Sequence, residues 1–217
     1  MTSRSVEVRG ETVELLPERA VYWPRRRILF VADLHLGKAA AFRSAGVPIP
    51  HGTTAADLGR LTELVSKCGP ERLIILGDFL HARDGRVEKT FAEVGDWRAA
   101  HSALGITLVR GNHDVHAGDP PDGWSIQVVD EPYPLEPFVC AHHDVPSDDY
   151  FVLQGHIHPK VHIGRRKERG KRFPCFVLDA SRLVLPAFGT FTGGVDIPST
   201  AKRARFAIAD GEVLPVD

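Results

Sequence analysis

Five apolar runs in this 217-residue chain stop on side chains that can hold a metal ion. The first runs into Asp33-Leu-His35, the second into Gly77-Asp78, and the third into Gly111-Asn112-His113-Asp114. The fourth ends on His142 and His143, the fifth on His156-Ile-His158. Carboxylate, imidazole and amide oxygen together suit two adjacent divalent ions, Mn²⁺ first, with Fe or Zn²⁺ as alternatives, whereas a structural zinc site draws on cysteine. Two such ions about 3.5–4 Å apart clamp the attacking and leaving oxygens of an in-line displacement and acidify a bound water to a pKa of around 7. The nucleophile expected from this set is therefore a metal-bound hydroxide and not a side chain. No nucleophile elbow, Walker loop or dinucleotide fingerprint competes with that chemistry. Taken singly, each cluster also fits a turn carrying a surface histidine; five in order, each after a strand-like run, fit a site.

For residues so far apart in sequence to meet, the carboxyl ends of several strands must face one crevice, as they do in open α/β sheets. The pattern provides for that. Alternation at Val6 and Val8 and over 12–16 opens the chain, and 27–32 reads as a buried strand. A short helix is expected over 38–45 and a second capped by Thr53 or Thr54, where Leu58, Leu61, Val65 and Cys68 recur at offsets of three and four until Gly69-Pro70 stops it. A strand over 73–76, a helix over 88–104 and a strand over 106–109 complete a run of parallel crossover units. From there the character changes to short strands, at 126–129, 138–141, 150–153, 161–163, 175–178, 183–185, 205–209 and 212–216. The expected product is one α/β domain over residues 1–217, with mixed sheets inside and helices outside. Asp33/His35 and His156/His158 stand two apart, a spacing that aims both members of a pair to one side of an extended chain. Glycines at 77, 111 and 155 allow a sharp turn just before the ligands.

Composition narrows the setting. Lys and Arg (27) nearly cancel Asp and Glu (28), so no global field draws the chain to nucleic acid or membrane. Apolar runs fall far short of the roughly 18 residues of a membrane span, and the start lacks a signal core, so a cytoplasmic protein is expected. Cys68, Cys140 and Cys175 are too few and too scattered for a disulfide framework and read as small core hydrophobes. Of 11 histidines, six lie between His113 and His158.

The order D-x-H, G-D, G-N-H-D, strand-end His and G-H-x-H resembles that of the calcineurin-like metallophosphoesterases. The resemblance implies a four-layer sandwich of two mixed β-sheets flanked by helices, and hydrolysis of phosphate mono- or diesters by two metal ions bridged by an aspartate. It implies Asp33, His35, Asp78 and His158 as the first metal site and Asp78, Asn112, His142 and His156 as the second, with Asp78 the bridge and His143 left open beside His142. His113 would touch the substrate phosphate, beside Asn112, and protonate the leaving oxygen, with Asp114 placed to orient it. Protein phosphatases of the superfamily carry G-D-Y-V-D-R-G where this chain has Gly-Asp-Phe-Leu-His81-Ala-Arg83, a departure that offers His81 and Arg83 to a different substrate.

Residues 33–43, 155–159, 173–176 and 185–194 are similar to the bacterial DNA-ligase-associated metallophosphoesterases, often described as DNA-damage-response endonucleases. That similarity implies a nuclease acting on DNA in repair, with a DNA ligase and a helicase as partners. The stretch 165–172, six basic residues in eight beginning with Arg165 and Arg166, fits either a grip on phosphates flanking the scissile bond or a solvated hairpin turn. Residues 188–194 offer backbone amides near the site or a tight bend between strands, and His162 is an outer-sphere candidate. Two other readings stand beside the nuclease: a phosphodiesterase or phosphatase for a nucleotide, cyclic nucleotide or pyrophosphate-linked substrate, and a metal-bound scaffold for a ligase or helicase.

Overall fold

Buried apolar runs form the strands, and amphipathic stretches such as 53–68 form the longer helices between them. A computed structural model of the chain describes residues 2–146, 149–163 and 171–216. The first sheet has seven strands in sequential order: β1 (Arg4–Val8), β2 (Glu11–Leu16), β3 (Ala20–Trp23), β4 (Ile28–Val31), β5 (Arg72–Leu76), β6 (Gly105–Val109) and β7 (Ile126–Val129). β1 to β4 pair antiparallel, and β4 to β7 are parallel. Parallel neighbours need crossovers, supplied by α1 (Lys38–Ser44) and α2 (Thr53–Cys68), then α3 (Glu88–Ala100), then α4 (Asn112–Ala117). Gly69, in the left-handed region at φ 56°, ends α2 as expected. α3 stops at Ala100 and not at residue 104, because the Arg98 guanidinium takes the carbonyls of His101 and Ser102 and turns the chain. α4 was not foreseen: six residues are too few to show a helical period.

The second sheet holds β8 (Tyr133–Leu135), β9 (Phe138–Ala141), β10 (Phe151–Gln154), β11 (Pro159–Ile163), β12 (Lys171–Leu178), β13 (Arg182–Val184), β14 (Val195–Asp196), β15 (Ala204–Ala209) and β16 (Glu212–Val216). β10 runs parallel to β9 and to β13. β12 reaches back to Lys171, four residues before the expected start, because it pairs β11 along its first half and β13 and β15 along its second.

The two sheets face each other across one core. Trp23, Phe30 and Ile74 from the first meet Phe138, Leu153 and Phe176 from the second, with the Trp23 and Phe138 rings edge to face at 4.8 Å. Truncating such a buried aromatic costs about 3–5 kcal/mol. Leu58 and Leu61 of α2 and Val94 and Trp97 of α3 cover the other face of the first sheet, against Leu29, Leu73 and Ile106. The fold is thus two mixed sheets with flanking helices, the described helices gathered on the first sheet. A smaller cluster, Val161, Cys175, Val177, Val184 and Ala207, lies on the second. Cys140 and Cys175 are buried and Cys68 half-buried, all three unpaired. No described helix is long and apolar enough to cross a membrane.

Candidate metal centre

The ligand-bearing residues follow the carboxyl ends of β4, β5, β6, β9 and β10, and the parallel pairing brings those ends together. The backbone there is not extended. Asp33, His35, Asp78, His156 and His158 all have positive φ, between 49° and 70°. This corrects the account of the two D-x-H and H-x-H pairs: side chains converge because each residue sits in the left-handed region, which costs a non-glycine residue roughly 1–2 kcal/mol. Hydrogen bonds between loops hold that geometry. The N–H groups of Asp33, His35 and Leu36 donate to the carbonyls of Gly77, Asp78 and Phe79 at 3.1, 2.8 and 2.9 Å. Behind them, Phe188 and Gly189 donate to the carbonyls of Ala32 and Asp33. Residues 188–189 therefore brace the first ligand loop directly.

The three glycines also divide differently from expectation. Gly77 does turn the chain, at φ 81°, and a Cβ there would overlap the His142 ring. Gly111 and Gly155 have ordinary φ and serve by clearance: a Cβ on Gly111 would strike the Asp78 carboxylate, and one on Gly155 the Leu76 carbonyl.

One ligand atom from each of Asp33, His35, Asp78 and His158 lies within 4.8 Å of the others. His35 Nε2 is 3.3 Å from His158 Nε2 and 3.7 Å from Asp78 Oδ2, and His158 Nε2 is 3.4 Å from Asp33 Oδ1. A second set gathers on His142 Nε2, with His156 Nδ1 at 3.0 Å, Asn112 Oδ1 at 3.1 Å and Asp78 Oδ1 at 3.4 Å. Asp78 belongs to both sets. Of the adjacent histidines, His142 is fully buried and turned inward. His143 is 39% exposed along its side chain and gives Nδ1 to Glu131, although it still stands beside His156.

These contacts test whether a cation fits. His142 Nδ1 lies 2.9 Å from the Leu76 carbonyl, which can only accept, so the proton is on Nδ1 and Nε2 is a lone pair. That lone pair faces the Asp78 carboxylate in a buried site, an arrangement that repels unless something positive lies between. Burial depresses His35, His142 and His156, disfavouring their charged forms, so the imidazoles do not supply the missing charge. Burial likewise raises Asp78, opposed by the His113 N–H on its Oδ1 at 2.9 Å. Neutral imidazoles, buried carboxylates and one amide oxygen are the donor set that divalent ions take.

Around the ligands, His113 Nδ1 lies 2.7 Å from the His81 carbonyl, which fixes the proton on Nδ1 and frees Nε2. The His81 and His113 rings stack at 4.7 Å, and burial pulls His81 down to about 4. Asp114 does not orient His113. Its carboxylate accepts four backbone N–H groups instead: Asp78 and Gly111 at 2.8 and 2.9 Å, Phe79 and Leu80 at 3.0 and 3.1 Å. It clamps the loop that carries Asp78, and burial pushes it up to about 6 against the N–H groups of Gly111, Leu80 and Asp78. Arg83 is on the exposed rim, its Nε on the His116 carbonyl at 3.2 Å. His162 is exposed on β11, away from the ligands, and Arg165 and Arg166 lie outside the described residues.

Three further residues were not singled out from sequence. Lys38, at the start of α1, is half-buried: burial lowers its pKa, while Asp78 and Asp33 pull it back up. Its place directly after Asp33-Leu-His35-Leu-Gly37 was the available signal. Glu131 accepts the N–H groups of His142 and His143 at 2.7 and 2.8 Å, and nothing local marks it. Phe42 of α1, 37% exposed, meets Phe191 at 5.6 Å and His81 at 6.3 Å, an aromatic edge beside the centre.

A family model described as calcineurin-like phosphoesterase matches residues 26–179. Among solved structures, the Pseudomonas putida nuclease MPE is 45% identical, with a TM-score of 0.88 over 99% of this chain and 100% of that one. Yfce, a phosphoesterase from E. coli, is 17% identical, with a TM-score of 0.42 over 87% of this chain and 97% of that one. No curated protein matches this chain.

Proposed function

The chain belongs to the calcineurin-like phosphoesterase family and is a hydrolase of phosphate esters, and from that premise we propose that it is a dinuclear, metal-dependent nuclease cutting phosphodiester bonds in DNA during repair. The observation that carries the proposal is the pair of ligand sets sharing Asp78, anchored on the buried Asp33, His35, Asp78 and His142. Similarity along the whole chain to a protein named as a nuclease supports the choice of substrate. Asp33, His35, Asp78 and His158 hold one ion and Asp78, Asn112, His142 and His156 the other, Mn²⁺ before Fe or Zn²⁺. When bound, the ions acidify a water and offset charge on the phosphate.

The chain's own residues do the rest. The Leu76 carbonyl fixes the His142 tautomer, and the Asp114 clamp sets the loop that aims Asp78. His113, held at Nδ1–H by the His81 carbonyl, would take a second proton on Nε2 and as the imidazolium give that proton to the leaving oxygen, returning to the neutral ring. Asn112, His81, Lys38 and Arg83 surround the phosphate, and Arg165 and Arg166 take flanking phosphates. Phe42 and Phe191 offer faces on which bases stack, a contact of about 1–3 kcal/mol per base. A DNA ligase and a helicase as partners, and a cytoplasmic place of action, complete the proposal.

The test is cleavage of end-labelled single- and double-stranded DNA by chelator-stripped protein after Mn²⁺ is restored, with Asp78→Asn beside it. Cleavage by the wild type alone, lost again on chelation, is expected. Turnover of an activated diester without DNA cleavage would move the substrate to a small molecule. No turnover of any phosphate ester would leave a scaffold.

A further inference from the structure

A cleft of about 40 Å³ has His158 in its wall. His158 Nε2 belongs to the first ligand set, so the cleft and that set share a residue. The space has room for about three water-sized atoms.

Two cations stand on its other sides. Arg19, in the turn between β2 and β3, gives Nη1 to the Ala187 and Gly189 carbonyls at 3.4 Å each. Its Nε and Nη2 are without an acceptor among the described residues, and the half-buried side chain still opens on the cleft. Lys160, half-buried on β11, makes no side-chain hydrogen bond or ion pair among the described residues. Its stem passes over Gly194, where a Cβ would come within 2.7 Å of Lys160 Cε.

Nothing in the wall balances these charges. No carboxylate among the described residues lines the cleft. The two that Arg19 and Lys160 feel from farther off are engaged elsewhere: Asp57 with Arg60 at 2.9 Å, and Asp196 with Arg172 at 2.8 Å. The hydroxyls of Thr190 and Thr192, also in the wall, donate to Asp57 Oδ2 and to the Gly189 carbonyl. The donors still available are therefore the two cations, and each raises the energy of the other until an anion lies between them. A guanidinium fork beside an ammonium is the pairing that phosphate oxygens take. That anion is a neighbour of the reacting phosphate and not the reacting phosphate itself, because His158 Nε2 turns toward Asp33 and His35.

We propose that this cleft binds a non-scissile phosphodiester of the substrate strand, on the His158 side of the metal centre, between Lys160 and Arg19. The proposal rests on the nuclease reading above. Such a contact fixes the register of the strand and carries no base preference.

A methylphosphonate scan tests it. An oligonucleotide with one defined cleavage site is remade with a single neutral methylphosphonate, moved stepwise across the non-scissile positions, and cut by the Mn²⁺-loaded wild type. Neutralising one phosphate close to the scissile one is expected to lower kcat/KM about 10-fold. In Lys160→Gln, and independently in Arg19→Gln, the intact-to-neutral ratio at that position should fall toward one. Arg19 also holds the 187–189 segment, so if Arg19→Gln does not fold, Lys160→Gln decides alone. A flat scan with the wild type overturns the subsite and leaves the nuclease standing. A ratio that keeps its wild-type value in the variants overturns it too, because the phosphate is then held elsewhere. Turnover of bis(p-nitrophenyl) phosphate with no oligonucleotide cut overturns the nuclease reading and the subsite together.

Discussion

On the proposed mechanism, the residues around Asp78 divide into groups that face the phosphate and groups that hold the loop. His113 is of the first kind: His113→Ala should keep its metal content, measured by elemental analysis, while turnover on a substrate with a poor leaving group falls by about 10²–10⁴. Near-normal turnover would remove His113 from proton transfer. Asp114 is of the second kind. Asn in its place keeps one acceptor oxygen and sets an NH₂ group against two of the four backbone N–H donors. The expected loss is about 1–3 kcal/mol, a melting point lower by about 2–10 °C, with weaker Mn²⁺ binding alongside. An unchanged melting point would mean that the loop does not depend on this clamp. The sequence could show Asp114 beside His113, but adjacent residues on a helix diverge, and their partners came from different segments.

At the scale of elements, the centre depends on strand ends lying close enough for imidazole and carboxylate to interleave. The residue that permits this on β5 is Gly77, where φ is 81° and a Cβ would enter the His142 ring. The obstacle is a ring locked to Leu76, with no flexible end to yield. Gly77→Ala should therefore displace His142 and abolish Mn²⁺ binding at the second set before it unfolds the sheet. Calorimetric titration should show one binding event where the wild type shows two; two events retained would mean that His142 is not a ligand. Element type was legible from local pattern for most of this chain: the helix ending at Cys68 was expected, although its N-cap is Gly52 and not Thr53 or Thr54. The unforeseen elements are β3, β8, β14 and α4; α4 spans only six residues, too few to show a helical period.

Over the whole molecule, a formal net charge of −1 gives no long-range pull on DNA, so the proposed nuclease rests its binding on cations close to the centre. Lys38 and Arg83 alone predict a slope of about −1.4 in log affinity against log salt for a single strand. If Arg165 and Arg166 grip phosphates, the wild-type slope is steeper, and Arg165→Ala with Arg166→Ala reduces it by about 1.4. An unchanged slope would assign that stretch to a solvated hairpin. Sequence by itself determined the chemistry available: which residue types end which strands, because a strand or helix announces itself over a few residues and the turn after it tolerates only certain side chains. It determined the order of the clusters, and with that order the family resemblance. Tertiary structure alone decided which way the side chains turn. That His142 points inward and His143 outward, that Lys38 feels the charges of Asp33 and Asp78, and that Glu131 holds the β9 loop all depend on two sheets packing face to face. Asp33 and His158 meet across more than a hundred intervening residues. No local period carries that information, because burial is a property of the assembled core.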